Sequence, residues 1–302
     1  MSPIAIGLLI IAAAIHAGWN LVCKRQHPSQ AFFLLADLAG VILLMPVAII
    51  YHGAIVQIPV QVWRLLFLGG CCFALYYLAL AGAYRKGDMS IAYPLARSSS
   101  ILMVVVISLT VGRQHDIGLG AVVGMGLVMG GSLLLPMGRF TDFHTRNYLN
   151  PCCGLALLAA VGTAGYTIID DWALAILRDG SDSPLSPMAI AFIYVFLESL
   201  CALLWQGMAI LATPGEYRVL IQSCRGQIKA AAIAGTGIVF AYGLSLTAMA
   251  FVSNVSYVAA FRQLSIPMGT VLGRVLLQEP CPTPRLLGTA IILVGLILVS
   301  LG

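Results

Sequence analysis

The sequence predicts an all-α integral membrane protein, in which ten transmembrane helices form two inverted five-helix repeats around a central cavity. Three observations lead to this fold class. Only 27 of the 302 residues are charged. Apolar runs long enough to span a bilayer follow one another along the whole chain. The second half of the chain also repeats the pattern of the first.

The scarcity of charge excludes soluble classes of protein. Asp, Glu, Lys and Arg make up about a quarter of a soluble domain, but only 9% of this chain. A soluble chain with so little charge would expose apolar surface and aggregate. The net charge of +5 rests on too few residues to bind phosphates, so no nucleic acid is expected as a partner. The eight cysteines lack metal-ligand spacing and are interpreted as small hydrophobic residues, with no metal site expected.

Ten apolar segments have the length of about 20 residues that a transmembrane helix needs. Short breaks rich in charged residues, Gly and Pro separate them. The first segment lacks a basic leader, so we expect it to be retained as a span. The predicted spans cover residues 3–22, 31–51, 64–84, 89–112, 117–136, 152–173, 188–212, 228–250, 253–276 and 284–301.

Basic residues predict the orientation of these spans. The loops after odd-numbered spans, taken with the span ends that border them, hold 11 of the 16 Lys and Arg residues, and those after even-numbered spans hold 3. Because short cytoplasmic loops carry the excess of Lys and Arg, we expect the odd loops in the cytoplasm and both termini outside. The expected location is the inner (cytoplasmic) membrane.

An internal repeat divides the chain into two halves. Residues 7–24 align with residues 154–171 without a gap, and Arg97 in the fourth span aligns with Arg262 in the ninth. Each half has five spans, an odd number, so the second half is expected to insert upside down. Inverted repeats are typical of carriers in which one half rocks against the other around a midplane site.

The repeat predicts the domain organisation. Residues 1–150 form the first five-helix repeat, and residues 151–302 form the second.

Ionisable residues inside the spans are the first candidates for function, because each costs at least roughly 2.5–3.5 kcal/mol to insert. Two interpretations stay open. The residues form buried ion pairs that stabilise the bundle, or Arg97 binds a substrate carboxylate while Asp37, Asp170 or Glu198 carries a proton. The ionisable residues within the predicted spans are Asp37, Arg97, Asp170, Asp171, Glu198 and Arg262.

Arg97 is the favoured ligand for a carboxylate. It follows Pro94 by one turn and precedes three serines, which is a polar stretch better suited to a cavity than to lipid. His16, Trp19 and Asn20 share one face of the first helix, at positions i, i+3 and i+4. The residues expected to line the solute site are Arg97, His16, Trp19, Asn20, Tyr76, Tyr77, Tyr93, Tyr166, Tyr242 and Arg262.

Two interpretations of His16 stay open: it is either hydrogen-bonded to a neighbouring helix or it relays protons. The glycines of the fifth span predict a closely packed helix without chemistry; they are Gly120, Gly124, Gly126, Gly130 and Gly131. The sequence has no phosphate-binding loop and no catalytic motif, so neither a cofactor nor direct use of ATP is expected.

The chain resembles the ten-helix EamA-like branch of the drug/metabolite transporter superfamily over its whole length. The resemblance rests on the two halves and on three motifs: His-Ala-Gly-Trp-Asn at 16–20, Tyr-Pro-Leu-Ala-Arg at 93–97, and the pattern from Arg262 to Pro267 that ends in Leu-Leu-Gln-Glu at 276–279. It implies an exporter of amino acids or related small metabolites. It also implies a central cavity lined by helices one, three, four, six, eight and nine.

Two features depart from relatives in this superfamily. The small four-helix multidrug relatives carry a glutamate in their first span, where this chain has His16 and Asn20. Several relatives keep both termini in the cytoplasm, opposite to the orientation that the basic residues predict here.

The sequence therefore predicts a monomeric secondary transporter of a small-molecule solute, and not an enzyme. Transport is expected to follow alternating access, with export of amino acids or related metabolites. Two alternatives remain: efflux of cationic drugs through Glu198, Asp37 or Asp170, and a membrane-embedded enzyme or accessory subunit.

Overall fold

The computed structural model describes residues 1–24, 26, 29–86, 89–110, 118–134, 137–142, 151–179, 185–278 and 281–301. Regular structure in these ranges is entirely helical, which confirms the all-α class. The α-helices of the described ranges are α1 (Pro3–Lys24), α2 (Gln30–Ile50), α3 (His52–Val56), α4 (Val60–Lys86), α5 (Met89–Thr110), α6 (Leu119–Leu134), α7 (Pro151–Asp179), α8 (Pro187–Ala212), α9 (Glu216–Gly226), α10 (Ile228–Ala248), α11 (Val255–Phe261), α12 (Ser265–Leu277) and α13 (Thr283–Leu301).

The distribution of side chains fits a bilayer as the solvent. Among the described residues, six helices are long and apolar enough to cross a membrane: α1, α2, α4, α7, α8 and the segment that begins with α10. On α2, Ile42 is 61% exposed whereas Asp37 is 1% exposed. Apolar side chains facing outward and polar ones facing inward are the arrangement that hydrocarbon favours.

Three helices differ from their predicted bounds. The predicted sixth span ends at residue 173, but α7 continues to Asp179, because Ala173 and Leu174 are buried against the core. The short helix α9 lies in a region predicted as a loop. The predicted ninth span is interrupted by a 3₁₀ turn at Arg262–Leu264. Pro267 explains the interruption, since it has no N–H to donate to the carbonyl of Gln263, four residues earlier.

Helices of the first half pack mainly against helices of the second. The main pairs are α4 with α7, α1 with α10, α5 with α7, α1 with α12, α2 with α10, and α4 with α8. Two further pairs join α2 to α8 and α6 to α13. The core is therefore an interface between the two halves of the chain.

Three loops lie on one face of the bundle. Arg85 Nη1, at the end of α4, pairs with Glu216 Oε1 at the start of α9, 2.6 Å away. Gln227 Nε2, just after α9, donates to the carbonyl of Gln26 in the loop after α1 (2.9 Å). These contacts place the ends of α1, α4 and α8 together, as expected for loops that follow odd-numbered spans.

Glycines bring α6 and α13 into close contact. A Cβ atom added to Gly124 would lie 2.5 Å from the carbonyl oxygen of Gly295, and one added to Gly131 would lie 2.6 Å from that of Gly288. The prediction that this helix packs closely is thus confirmed at these two positions. A Cβ at Gly126 or Gly130 would meet nothing within 4 Å.

Candidate functional site

A small cavity lies between the two halves of the chain. Its volume is about 30 Å³, which is room for about two water molecules at roughly 10–15 Å³ each. α1, α4, α5, α7, α10 and the 3₁₀ turn before α12 all contribute to its wall, and these are the six segments that the resemblance implies. Eight predicted site residues line it: His16, Trp19, Tyr76, Tyr77, Arg97, Tyr166, Tyr242 and Arg262.

Arg97 projects from α5 across to the other half of the chain. Its Nη2 atom donates to the carbonyl of Arg262 (3.0 Å) and to Oγ of Ser265 (3.0 Å). The 3₁₀ turn at Arg262–Leu264 presents these acceptors to α5. Arg97 thereby hydrogen-bonds the backbone where the ninth helix is broken, and its side chain is buried.

Arg262 is held by two tyrosine rings. Its guanidinium carbon lies 5.6 Å from the ring centroid of Tyr166 and 5.7 Å from that of Tyr242, within the range of cation–π attraction. Its Nη2 also donates to the hydroxyl of Tyr166 (3.1 Å). The phenols stabilise this cation at the cavity wall, and the buried carboxyl group of Asp170 behind the wall also acts on it.

His16 and Trp19 contribute polar atoms to the cavity wall. The two rings pack edge to face, with centroids 4.7 Å apart. His16 Nε2 and Trp19 Nε1 are buried and have no hydrogen-bond partner in the described part of the chain. Because buried polar atoms in proteins are nearly always hydrogen-bonded, these two atoms are suited to contact a solute.

An aromatic wall closes the cavity on the side of α4. Phe73 packs against Tyr76, Tyr77, Tyr166 and Tyr242, with centroid distances from 4.9 to 6.5 Å. Sequence reasoning missed Phe73, although it lies three and four residues before the two α4 tyrosines and therefore on their face of the helix. The other lining residues that were missed are Ala12, Ala13, Ile238, Ala241 and Ser245.

Two predicted site residues are not part of this wall. Asn20 donates from Nδ2 to the carbonyl of His16 (2.8 Å), four residues earlier on its own helix. A short amide side chain commonly bonds in this way to its own helix, and Asn20 is absent from the cavity lining. The side chain of Tyr93 lies outside the described residues, although the backbone of α5 is helical there.

The buried carboxyl groups contact neutral polar groups rather than the arginines. Asp37 Oδ2 accepts from Gln206 Nε2 (2.6 Å). Asp170 Oδ1 accepts from the hydroxyl of Tyr194 (3.1 Å) and its Oδ2 from that of Tyr242. Glu198 Oε2 lies 2.7 Å from the same Tyr242 hydroxyl. None of the three lines the cavity. These hydrogen bonds go to uncharged groups, although Arg262 acts electrostatically on Asp170.

The described part of the chain contains no group of three or more His, Cys, Asp or Glu side chains that could hold a metal ion. The cavity wall offers two guanidinium groups, hydroxyl and N–H donors, and aromatic faces. This set of groups is suited to bind a small polar solute with a negative charge.

Comparison with known families gives one match. Residues 3–137 match the model of the EamA-like transporter family. This segment belongs to that family. Over this segment the match confirms the resemblance drawn from the motifs, and the matched family is one that transports small solutes. The long apolar helices of the described residues are those of a multi-pass membrane protein.

Two further comparisons concern the whole chain. A solved structure, titled only as the crystal structure of a protein, superposes with a TM-score of 0.68 at 15% sequence identity. The alignment covers 98% of this chain and 96% of the other. It shows that this chain shares its overall fold with that structure. No curated protein matched the chain.

Proposed function

We propose that this protein exports amino acids or related small metabolites across the inner membrane, by alternating access of two inverted five-helix halves. The observation that carries the proposal is that Arg97 from the first half and Arg262 from the second line the same cavity. Each guanidinium is suited to bind a carboxylate, because its planar N–H groups match the two carboxylate oxygens.

The pattern of helix packing supports the inverted repeat. Exchanging each span with its partner in the other half turns the α4–α7 contact into the α10–α1 contact, and α5–α7 into α12–α1. The α2–α10 contact likewise becomes α8–α4, while α2–α8 and α6–α13 are unchanged. A bundle related by a two-fold axis would have this property, and the cavity lies where the paired helices meet.

The size of the cavity supports alternating access. A volume of about 30 Å³ is too small for a free amino acid, which contains several times as many atoms as the two waters that would fit. The paired helices must therefore separate on one side to admit a solute. Broken helices such as the one formed by α11 and α12 are typical of the moving parts of transporters.

The charge of the wall distinguishes this proposal from efflux of cationic drugs. Two guanidinium groups repel a cation that has no carboxylate to bind them, and the carboxyl groups Asp37, Asp170 and Glu198 lie outside the cavity lining. A growth screen of an overexpressing strain tests the choice. We expect increased tolerance of toxic amino-acid analogues and unchanged tolerance of amphipathic cations. Increased tolerance of the amphipathic cations without increased tolerance of the amino-acid analogues would refute amino-acid export.

A further inference from the structure

A pair of carboxyl groups lies directly behind the cavity wall. Asp170 on α7 and Glu198 on α8 are 0% and 1% exposed. The Tyr242 hydroxyl contacts both carboxyl groups, and it lies 2.7 Å from Glu198 Oε2. The ring of Tyr242 lines the cavity and lies beneath Arg262. Tyr242 is thus the link between the solute site and the carboxyl pair.

Counting hydrogen atoms shows that this arrangement holds an additional proton. The Tyr242 hydroxyl has one hydrogen atom and can donate it to only one carboxyl group. Two ionised carboxylates have acceptors only, so the second contact of Tyr242 requires a proton on one of them.

The environment of each oxygen identifies Glu198 as the protonated group. Both oxygens of Asp170 accept hydrogen bonds from phenols, which stabilises an ionised carboxylate. Glu198 Oε1 is buried and has no partner among the described residues. An unpaired oxygen costs less in a neutral acid than in an anion. Gly69 on α4 leaves room for it, since a Cβ there would lie 2.7 Å from Oε1.

The charged groups around Asp170 and Glu198 favour one negative charge on this pair and not two. Arg262 is the cation that acts on Asp170. A second ionised carboxylate would repel the first across a short distance. The titratable or charged groups that face the pair from the helices packed around it are Asp37, Cys72, Tyr194, Cys201 and Arg262.

We propose that Asp170 and Glu198 together bind the proton that this transporter exchanges for its solute, and that Tyr242 connects this proton site to the cavity. The inference rests on the proposed function, because it supplies the coupling ion for that export. When the ammonium group of an amino acid approaches Tyr242, its positive charge replaces that of the proton. The phenol accepts the Glu198 proton on its oxygen, turns its own hydroxyl proton away from Asp170 and passes it to water in the cavity. Glu198 is left ionised, and Tyr242 itself is unchanged.

Infrared spectroscopy of the purified protein tests the proton site without any solute. At neutral pH we expect the C=O stretching band of a protonated carboxyl group, and we expect both Glu198→Gln and Asp170→Asn to remove it. Glu198→Gln removes the protonated group itself. Asp170→Asn leaves Glu198 as the single carboxyl group of the pair, and it then ionises because the charge of Asp170 no longer repels it. The matched control is Asp179→Asn, which removes an exposed carboxyl from the same helix and should leave the band unchanged. Asp37→Asn identifies any part of the band that comes from Asp37.

Hydrogen exchange tests the role of Tyr242. In D₂O the band shifts as the proton is replaced, and Tyr242→Phe should slow this shift severalfold, because it removes the hydroxyl and keeps the ring under Arg262. A band that survives Glu198→Gln overturns the site, and a band removed by Glu198→Gln but not by Asp170→Asn overturns the sharing. An exchange rate unchanged in Tyr242→Phe overturns the link to the cavity.

Transport measurements separate this inference from the proposed function. Acid-inside vesicles that contain the wild-type protein should accumulate labelled L-amino acids from a mixture, in exchange for protons. Glu198→Gln should lose this accumulation, and Asp179→Asn should retain it. Accumulation that is equal in wild type and Glu198→Gln overturns the coupling site. If the wild type exchanges no amino acid at all, the proposed function fails, while the infrared band still decides whether the proton site exists.

Discussion

The guanidinium of Arg97 donates a hydrogen bond to the backbone carbonyl of Arg262, 3.0 Å away. The internal repeat aligns these two residues, and the hydrogen bond joins the two halves of the chain at the cavity wall. A movement that opens the cavity between α5 and the 3₁₀ turn must either break this hydrogen bond or move the two residues together. Arg97 therefore combines two roles in the account, as a ligand for the solute and as a link between the halves.

Replacing Arg97 with lysine should reduce transport while the protein still folds. Lysine keeps the charge but loses the planar group that reaches both Ser265 and the Arg262 carbonyl. A hydrogen bond to a charged group contributes about 1.5–3 kcal/mol, so we expect a loss of about tenfold or more in exchange of labelled amino acids. The control is Arg64→Lys at an exposed position. Normal exchange by Arg97→Ala would show that the assignment is wrong.

The tyrosine rings that lie against Arg262 should contribute more to solute binding than the Tyr166 hydroxyl that accepts its hydrogen bond. Tyr166→Phe removes the acceptor at 3.1 Å but keeps the ring at 5.6 Å, whereas Tyr166→Leu removes both. Cation–π attraction contributes about 0.5–2 kcal/mol, so the half-saturating solute concentration should rise further in Tyr166→Leu than in Tyr166→Phe. Tyr217→Phe, at an exposed position, is the control. Equal effects of the two Tyr166 variants would contradict a role for the ring.

Two glycines of α6 should respond oppositely to alanine. A Cβ at Gly124 would lie 2.5 Å from a backbone carbonyl of α13, whereas one at Gly126 meets open space. Overpacking costs about 1–3 kcal/mol, and alanine at an open helix position gains up to about 1 kcal/mol over glycine. Thermal unfolding in detergent should therefore show a lower midpoint for Gly124→Ala and an equal or higher one for Gly126→Ala. Equal shifts would mean that α6 and α13 do not pack as described.

Cys224 provides a test of membrane orientation. It is the exposed cysteine of α9, and the other seven are buried or partly buried. The basic residues predict that this region lies in the cytoplasm. A membrane-impermeant maleimide should label Cys224 in permeabilised cells and not in intact ones, and Cys224→Ser should abolish the signal. Labelling of intact cells would place both termini in the cytoplasm instead.

Much of the site could be predicted from local sequence signals. His16 and Trp19 are three residues apart on one helix face, and Arg97 and Arg262 are isolated cations in apolar spans, so each is conspicuous without a structure. Asn20 shares that helix face, but it bonds to its own backbone. Helical spacing indicates the direction in which a side chain points, but it does not indicate which nearby acceptor that side chain will hydrogen-bond.

The partners of the carboxyl groups could not be predicted. Gln206 bonds Asp37 from a position 169 residues away, and Tyr194 bonds Asp170 from the next helix. Both are uncharged residues in apolar runs, where nothing local distinguishes a buried hydrogen-bonding group from one that faces the headgroups. Their roles depend on which helices meet, and that information lies in the packing of the two halves.

The central claim is that the cavity between the halves carries amino acids across the membrane. Counterflow in proteoliposomes tests it most directly, with an unlabelled L-amino acid mixture inside and the same mixture, labelled, outside. The account predicts a transient accumulation of label that protein-free liposomes lack and that Arg97→Lys reduces. Folded wild-type protein that accumulates no more label than protein-free liposomes would contradict it.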